Sequence, residues 1–195
     1  DLITVAKGAE ERLLSSFSEL ILCLPGDTKT AHLNSISELV DTGIQTVRCH
    51  QFAMLPGSDA ARKQIRDKYE MVTRFRPVPN SVANYKVFGD RFLRPEIDEI
   101  CVANNSMSYE DYLECRLFIL TTEIFYNDGI FQELLSLLVS KGVPVSGFLK
   151  AVHEVGTASD SPLKPVYDGF LSETKALWED RNALEEFLRE PDSIA

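Results

Sequence analysis

Leu20-Ile21-Leu22-Cys23-Leu24-Pro25-Gly26-Asp27-Thr28 is an apolar run that passes straight into a Pro-Gly turn, and the fold of this chain is read from it. The run is too short for a buried helix and is apolar on both faces, as in a strand of a parallel sheet covered by helices. Beyond it, Leu33, Ile36, Leu39 and Val40 recur at helical spacing. Asp27 or Thr28 can cap the free amides of that helix, and Gly43 supplies a left-handed stop. A second run, from Ile44 to Met54, ends in Leu55-Pro56-Gly57-Ser58. Parallel strands need a crossover, nearly always right-handed, so the second run is expected to pair beside the first.

Alternation in the second run sets Val47, Cys49 and Ala53 against Arg48, His50, Phe52 and Met54. In a β/α barrel this would aim Arg48 and His50 inward, with Gln51 close to the strand's C-terminal end; the competing reading of His50 is a hydrogen-bonded core histidine. Ala60 to Phe75 has a helical pattern ended by Pro77 and Pro79, and Val82 to Phe88 and Glu96 to Ala103 read as strands. The remainder is helical. Ser108 to Asp111 resembles a capping box that opens a helix to about Tyr126; further helices are expected over Ile130 to Lys141, Pro144 to Val155 and Pro165 to Leu188. Residues 1–16 read as a short helix feeding the first strand, and the tail after Pro191 as loose. The expected fold class is therefore α/β: a partial parallel (β/α) barrel fragment of three to four strands over residues 1–104, followed by a helical C-terminal region over residues 105–195.

The chain has 195 residues, 44% of them apolar, enough for a real core, and a net charge of -10. That charge argues against nonspecific binding to nucleic acid or to anionic membrane, which depends on positive potential. No run reaches membrane-spanning length and no signal peptide is visible at the start, so a cytoplasmic protein is expected. The first residue is Asp1 rather than Met, which suggests a processed, trimmed or incomplete product. Between Arg62 and Arg94, nine Lys or Arg residues face three acids, so segment 62–94 is either a solvated basic surface or a local site for an anionic group. The four cysteines form no CxxC pair and read as reduced core thiols.

No GxSxG, P-loop, GxGxxG or HExxH is present, and the three histidines lack metal-ligand spacing. Chemistry then falls to the C-terminal ends of the strands, where β/α folds bind ligands and where both Pro-Gly turns lie.

Three segments carry a resemblance: Leu20 to Thr28, Gln51-Phe52-Ala53-Met54-Leu55-Pro56-Gly57-Ser58, and Asn105-Ser106-Met107-Ser108-Tyr109-Glu110-Asp111-Tyr112-Leu113-Glu114-Cys115-Arg116. In order and spacing they resemble the second half of a radical S-adenosylmethionine enzyme, most closely the subgroup with a cobalamin-binding domain ahead of the barrel. The resemblance covers about residues 17–155. It implies a parent enzyme holding S-adenosylmethionine and a 4Fe-4S cluster at the strand ends, whose deoxyadenosyl radical abstracts hydrogen from a substrate. It places Leu24, Pro25, Gly26, Asp27, Gln51, Met54 and Leu55 along the adenosine side, and Arg48 and His50 on the substrate side. The family's CxxxCxxC is missing, so no metal ligand is assigned and no cofactor is expected in this chain alone. Cys23 stands where the family pattern has glycine. A half barrel exposes strand edges, so the expected partner is a second copy or a complementary half-barrel chain. The alternative is a non-catalytic α/β binding or subunit module that recognises an anionic ligand or partner through segment 62–94.

Overall fold

Strand β1 (Phe17–Leu22) is followed by helix α1 (Lys29–Asp41) and strand β2 (Thr46–Gln51), and β2 lies parallel beside β1 from the Phe17–Thr46 pair to the Leu22–Gln51 pair. This computed structural model describes residues 8, 15–78, 81 and 83–189, with the backbone alone for residues 83, 84 and 90–94. The expected short helix over residues 1–16 and the tail after Pro191 lie almost wholly outside the described residues.

Helix α1 forms for the reasons its sequence gives. Thr28, rather than Asp27, caps it by accepting from the Ala31 amide at 3.1 Å, and Ile36, Leu39 and Val40 turn into the core. It stops in a Schellman motif: Gly43 at φ +85° donates to Val40, and Ile44 donates back to Leu39.

The next stretch departs from the helical reading of Ala60 to Phe75. Helix α2 covers only Lys63–Lys68; Glu70 turns left-handed at φ +51°, and strand β3 (Val72–Pro77) follows. Val72, Thr73 and Phe75 suit a pleated strand, and a partner distant in sequence overrides the local helical pattern. That partner is β6 (Ile97–Ala103), which runs antiparallel to β3. A hairpin of β4 (Ala83–Val87) and β5 (Asp90–Arg94) separates them. The described residues thus contain six strands in three two-stranded sheets, where three to four parallel strands were expected, and parallel pairing is confined to β1 and β2. Two hydrogen bonds and one bridge stitch the first sheet to the second: Cys101 donates to Phe52, Met54 donates to Glu99, and Ala53 faces Ile100. The chain is α/β.

Helix α3 (Tyr109–Thr122) opens with Ser108 accepting from the Asp111 amide at 3.1 Å, as the capping box anticipates, and runs into a π-helical turn (Glu123–Asn127). That turn serves β2: the Asn127 side chain accepts from the Val47 amide and donates to its carbonyl, both at 2.9 Å. Helices α4 (Gln132–Ser140) and α5 (Val145–Thr157) follow the expected order. Pro165 to Leu188, expected as one helix, is two: α6 (Lys164–Lys175) and α7 (Arg181–Phe187). Between them Trp178 exchanges two 2.8 Å backbone bonds with Phe75 at the outer edge of β3, which no helix could supply. One apolar core, including Leu22, Ile36, Ile100, Tyr112, Phe118 and Leu149, joins strands and helices. Among the described residues no helix is long and apolar enough to cross a membrane.

Candidate functional site

The C-terminal ends of β1 and β2 carry the same turn. Asp27 donates to the Leu24 carbonyl at 2.9 Å and Ser58 to the Leu55 carbonyl at 3.1 Å. Gly26 and Gly57 sit at φ +83° and +85°, each after a proline, which is the type II pattern of Pro then Gly at the two central positions. Cys23, just before the first turn, is itself left-handed at φ +72°. Cys23 carries a Cβ at a backbone angle that favours glycine, and it bears that strain while fully buried.

Asn104, at the end of β6, is the residue that organises the first turn. Its amide nitrogen donates to the Cys23 and Leu24 carbonyls, both at 3.1 Å, and its oxygen accepts from the Ser106 and Met107 amides at 2.8 and 3.0 Å. Ser106 then donates to the Asp27 carbonyl at 2.7 Å. The third resembling segment is therefore knotted onto the first. The Asp27 carboxylate lies 3.4 Å from His32 Nδ1. Burial, only partly opposed by Asp27, presses His32 below the usual histidine range, so the ring is neutral and its Nε2 has no partner among the described residues.

Of the other expected residues, Leu24 and Leu55 are exposed, Pro25 and Gly26 form the first turn, and Met54 is buried in the core. Gln51 turns toward the helices, donating to the Tyr112 hydroxyl and accepting from Arg76 at 2.7 Å. Arg48 and His50 share one face of β2 as the alternation requires, but that face is exposed, and His50 meets the Glu19 carboxylate at 3.0 Å. The core-histidine reading of His50 is thereby corrected. On the same open face Phe17 is 70% and Ile21 44% exposed.

The four cysteines lie in or against the core. Cys23, Cys101 and Cys115 are fully buried, with Cys23 and Cys101 sulfurs 3.9 Å apart. The Cys101 contact, then burial, holds the Cys23 thiol far above its usual range; burial pushes Cys49 and Cys115 up to about 12. No three His, Cys, Asp or Glu side chains are grouped to hold a metal among the described residues.

Segment 62–94 is less available than its composition implies. Arg62 pairs with Asp59, Lys63 with Asp67, Arg66 with Glu99, and Arg74 with Glu179. Arg76 keeps a looser partner, Asp98 at 3.5 Å. Asn104, Tyr112 and Arg116 had no assigned role from sequence. The one available signal was helical spacing, which sets Tyr109, Tyr112 and Arg116 along one face of α3.

No protein-family model matches the chain, and no curated protein matches it.

Proposed function

We propose that this chain supplies the adenosine and substrate side of a radical S-adenosylmethionine barrel, with cluster-binding strands contributed by another segment or chain, and that it is not catalytic by itself. The observation that carries this reading is the pair of equivalent Leu-Pro-Gly turns closing two adjacent parallel strands, the first fixed by the Asn104 to Ser106 loop. On this reading β1 and β2 are strands of a partial barrel, and their open face with Glu19, Arg48 and His50 is its interior. The unpaired outer edge of β1, among the described residues, and the exposed Phe17 and Ile21 suit cover by a complementary half barrel or a second copy. The parent's cluster would reduce S-adenosylmethionine; this chain's part is to seat the nucleoside against the turns and the substrate against the open face.

The test is to read the coding sequence upstream of Asp1 and to measure the mass of the purified chain by light scattering. An in-frame CxxxCxxC preceded by further β/α units, together with self-association of the isolated chain, is the expected result. A start codon close to Asp1 with no such extension, together with a monodisperse monomer, overturns it.

A second reading is a non-catalytic α/β module that recognises an anionic ligand or partner through segment 62–94. It is favoured by the placing of Arg74 and Arg76: Arg74 lies over the Tyr109 ring of α3 at 6.0 Å, and Arg76 reaches Gln51 at the end of β2. Charge reversal at both is expected to abolish anion binding, and unchanged affinity removes the reading.

A further inference from the structure

Arg116 is a cation without a counter-ion among the described residues. It stands one turn beyond Tyr112 on α3, with its guanidinium 4.9 Å from the centre of the Phe170 ring. It makes no hydrogen bond or ion pair with any described residue, and its Nε is buried and unpartnered. Glu123, which shares Cys49 as a neighbour, makes no ion pair with it. Burial, and to a smaller degree the Arg76 charge, presses the guanidinium below its usual range, although arginine stays charged in proteins. Arg76 Nε is likewise buried and unpartnered. A desolvated charge without compensation is costly, and folded proteins rarely carry one without a use.

We propose that Arg116, Arg76 and the Tyr112 hydroxyl form a binding site for the carboxylate of a small organic acid whose apolar part lies against Phe170. Tyr112 already accepts from Gln51, so its own proton is free to be donated. Gln51 also fixes Arg76, holding that fork on the Tyr112 side. The charge count selects the ligand class: Arg76 is offset by Asp98 at 3.5 Å and Arg116 by no described carboxylate, leaving one positive charge, which a carboxylate neutralises and a phosphate dianion exceeds. A carboxylate meeting the Nε edge of Arg116 would be held by two parallel bonds and would satisfy the orphan donor. The aromatic wall adds the apolar selectivity that a bare basic patch lacks.

This deepens the second reading and rests on it at Arg76, while Arg116 and Tyr112 lie outside segment 62–94. The test is thermal unfolding of the full chain in sodium benzoate, sodium acetate or inorganic phosphate, each against sodium chloride at equal ionic strength. Benzoate is expected to raise the midpoint in a saturable way, acetate less, and phosphate least. Arg116→Met is expected to abolish the response and to raise the ligand-free midpoint by about 2–4 °C, since it removes an uncompensated charge. Arg116→Lys keeps the charge without the fork and is expected to lose most of the response. A benzoate response that survives in Arg116→Lys, no benzoate response in the wild type, or a phosphate response as large as that to benzoate overturns the proposal. A lowered midpoint in Arg116→Met overturns the claim that the charge is uncompensated. Loss of the response on charge reversal at Arg74 and Arg76 but not in Arg116→Met supports the second reading against this one.

Discussion

The two Leu-Pro-Gly turns share local geometry and differ in almost everything around it. The first is tied by Asn104 and Ser106 and backed by His32; the second ends β2 with Leu55 62% exposed and no equivalent side-chain clamp among the described residues, its Ser58 hydroxyl accepting only from Ala61 nearby. Identical turn chemistry therefore makes the same backbone shape in two settings. Which of the two is held rigid is decided by residues far away in sequence. For a ligand at the strand ends, the first turn would be a fixed wall and the second an adjustable one.

The largest test of that difference is Asn104→Ala. It strips partners from the Cys23 and Leu24 carbonyls and from the Ser106 and Met107 amides, and is expected to cost about 3 kcal/mol in urea unfolding. Ser58→Ala, at the second turn, is expected to cost less than about 0.5 kcal/mol in the same assay. Equal losses would mean that both turns are merely local. Intermediate effects come from Gly26→Ala and Gly57→Ala. Both glycines are left-handed with open space where a Cβ would go, so each change is expected to cost about 1–2 kcal/mol, and by the same amount, because the penalty is local backbone strain. A loss at Gly26 well above that at Gly57 would show that the clamp multiplies turn strain.

The smallest expected effect is on pH dependence. His32 titrates below its ordinary value of 6.5 when folded, so the unfolded chain binds its proton first. Stability is then full above the unfolded value and falls as pH drops through about 6.5 toward the lower folded value. His32→Gln is expected to flatten that part of the calorimetric stability profile, and a profile as steep as the wild type's would assign the slope to other groups, such as His153, which burial also lowers.

What could be read from the sequence was mostly local chemistry. Pro followed by Gly specifies the turns; Gly43 specifies the stop of α1; Ser108 specifies the start of α3. The place in the fold of the candidate residues Leu24 to Asp27 and Gln51, at the strand ends, was legible for the same reason. Asn104 was not, because one asparagine after a strand has no pattern until its amide is seen between two carbonyls of another loop. Arg116 was hidden among surface-like charges, and the lack of a counter-ion among the described residues is visible only in the folded chain.

The sequence by itself therefore determined an α/β chain with a β1–α1–β2 parallel unit, two equivalent turns and a capped helical half, because those depend on backbone preference and short-range periodicity. Tertiary structure alone decided that residues 72–77 form a strand, that Trp178 extends its edge, that one face of the first sheet stays open among the described residues, and that Gln51 links Arg76 to Tyr112. Each of these outcomes depends on a partner distant in the chain, and the energy of a hydrogen bond, a buried charge or a shared core is set by the partner present rather than by the residue alone.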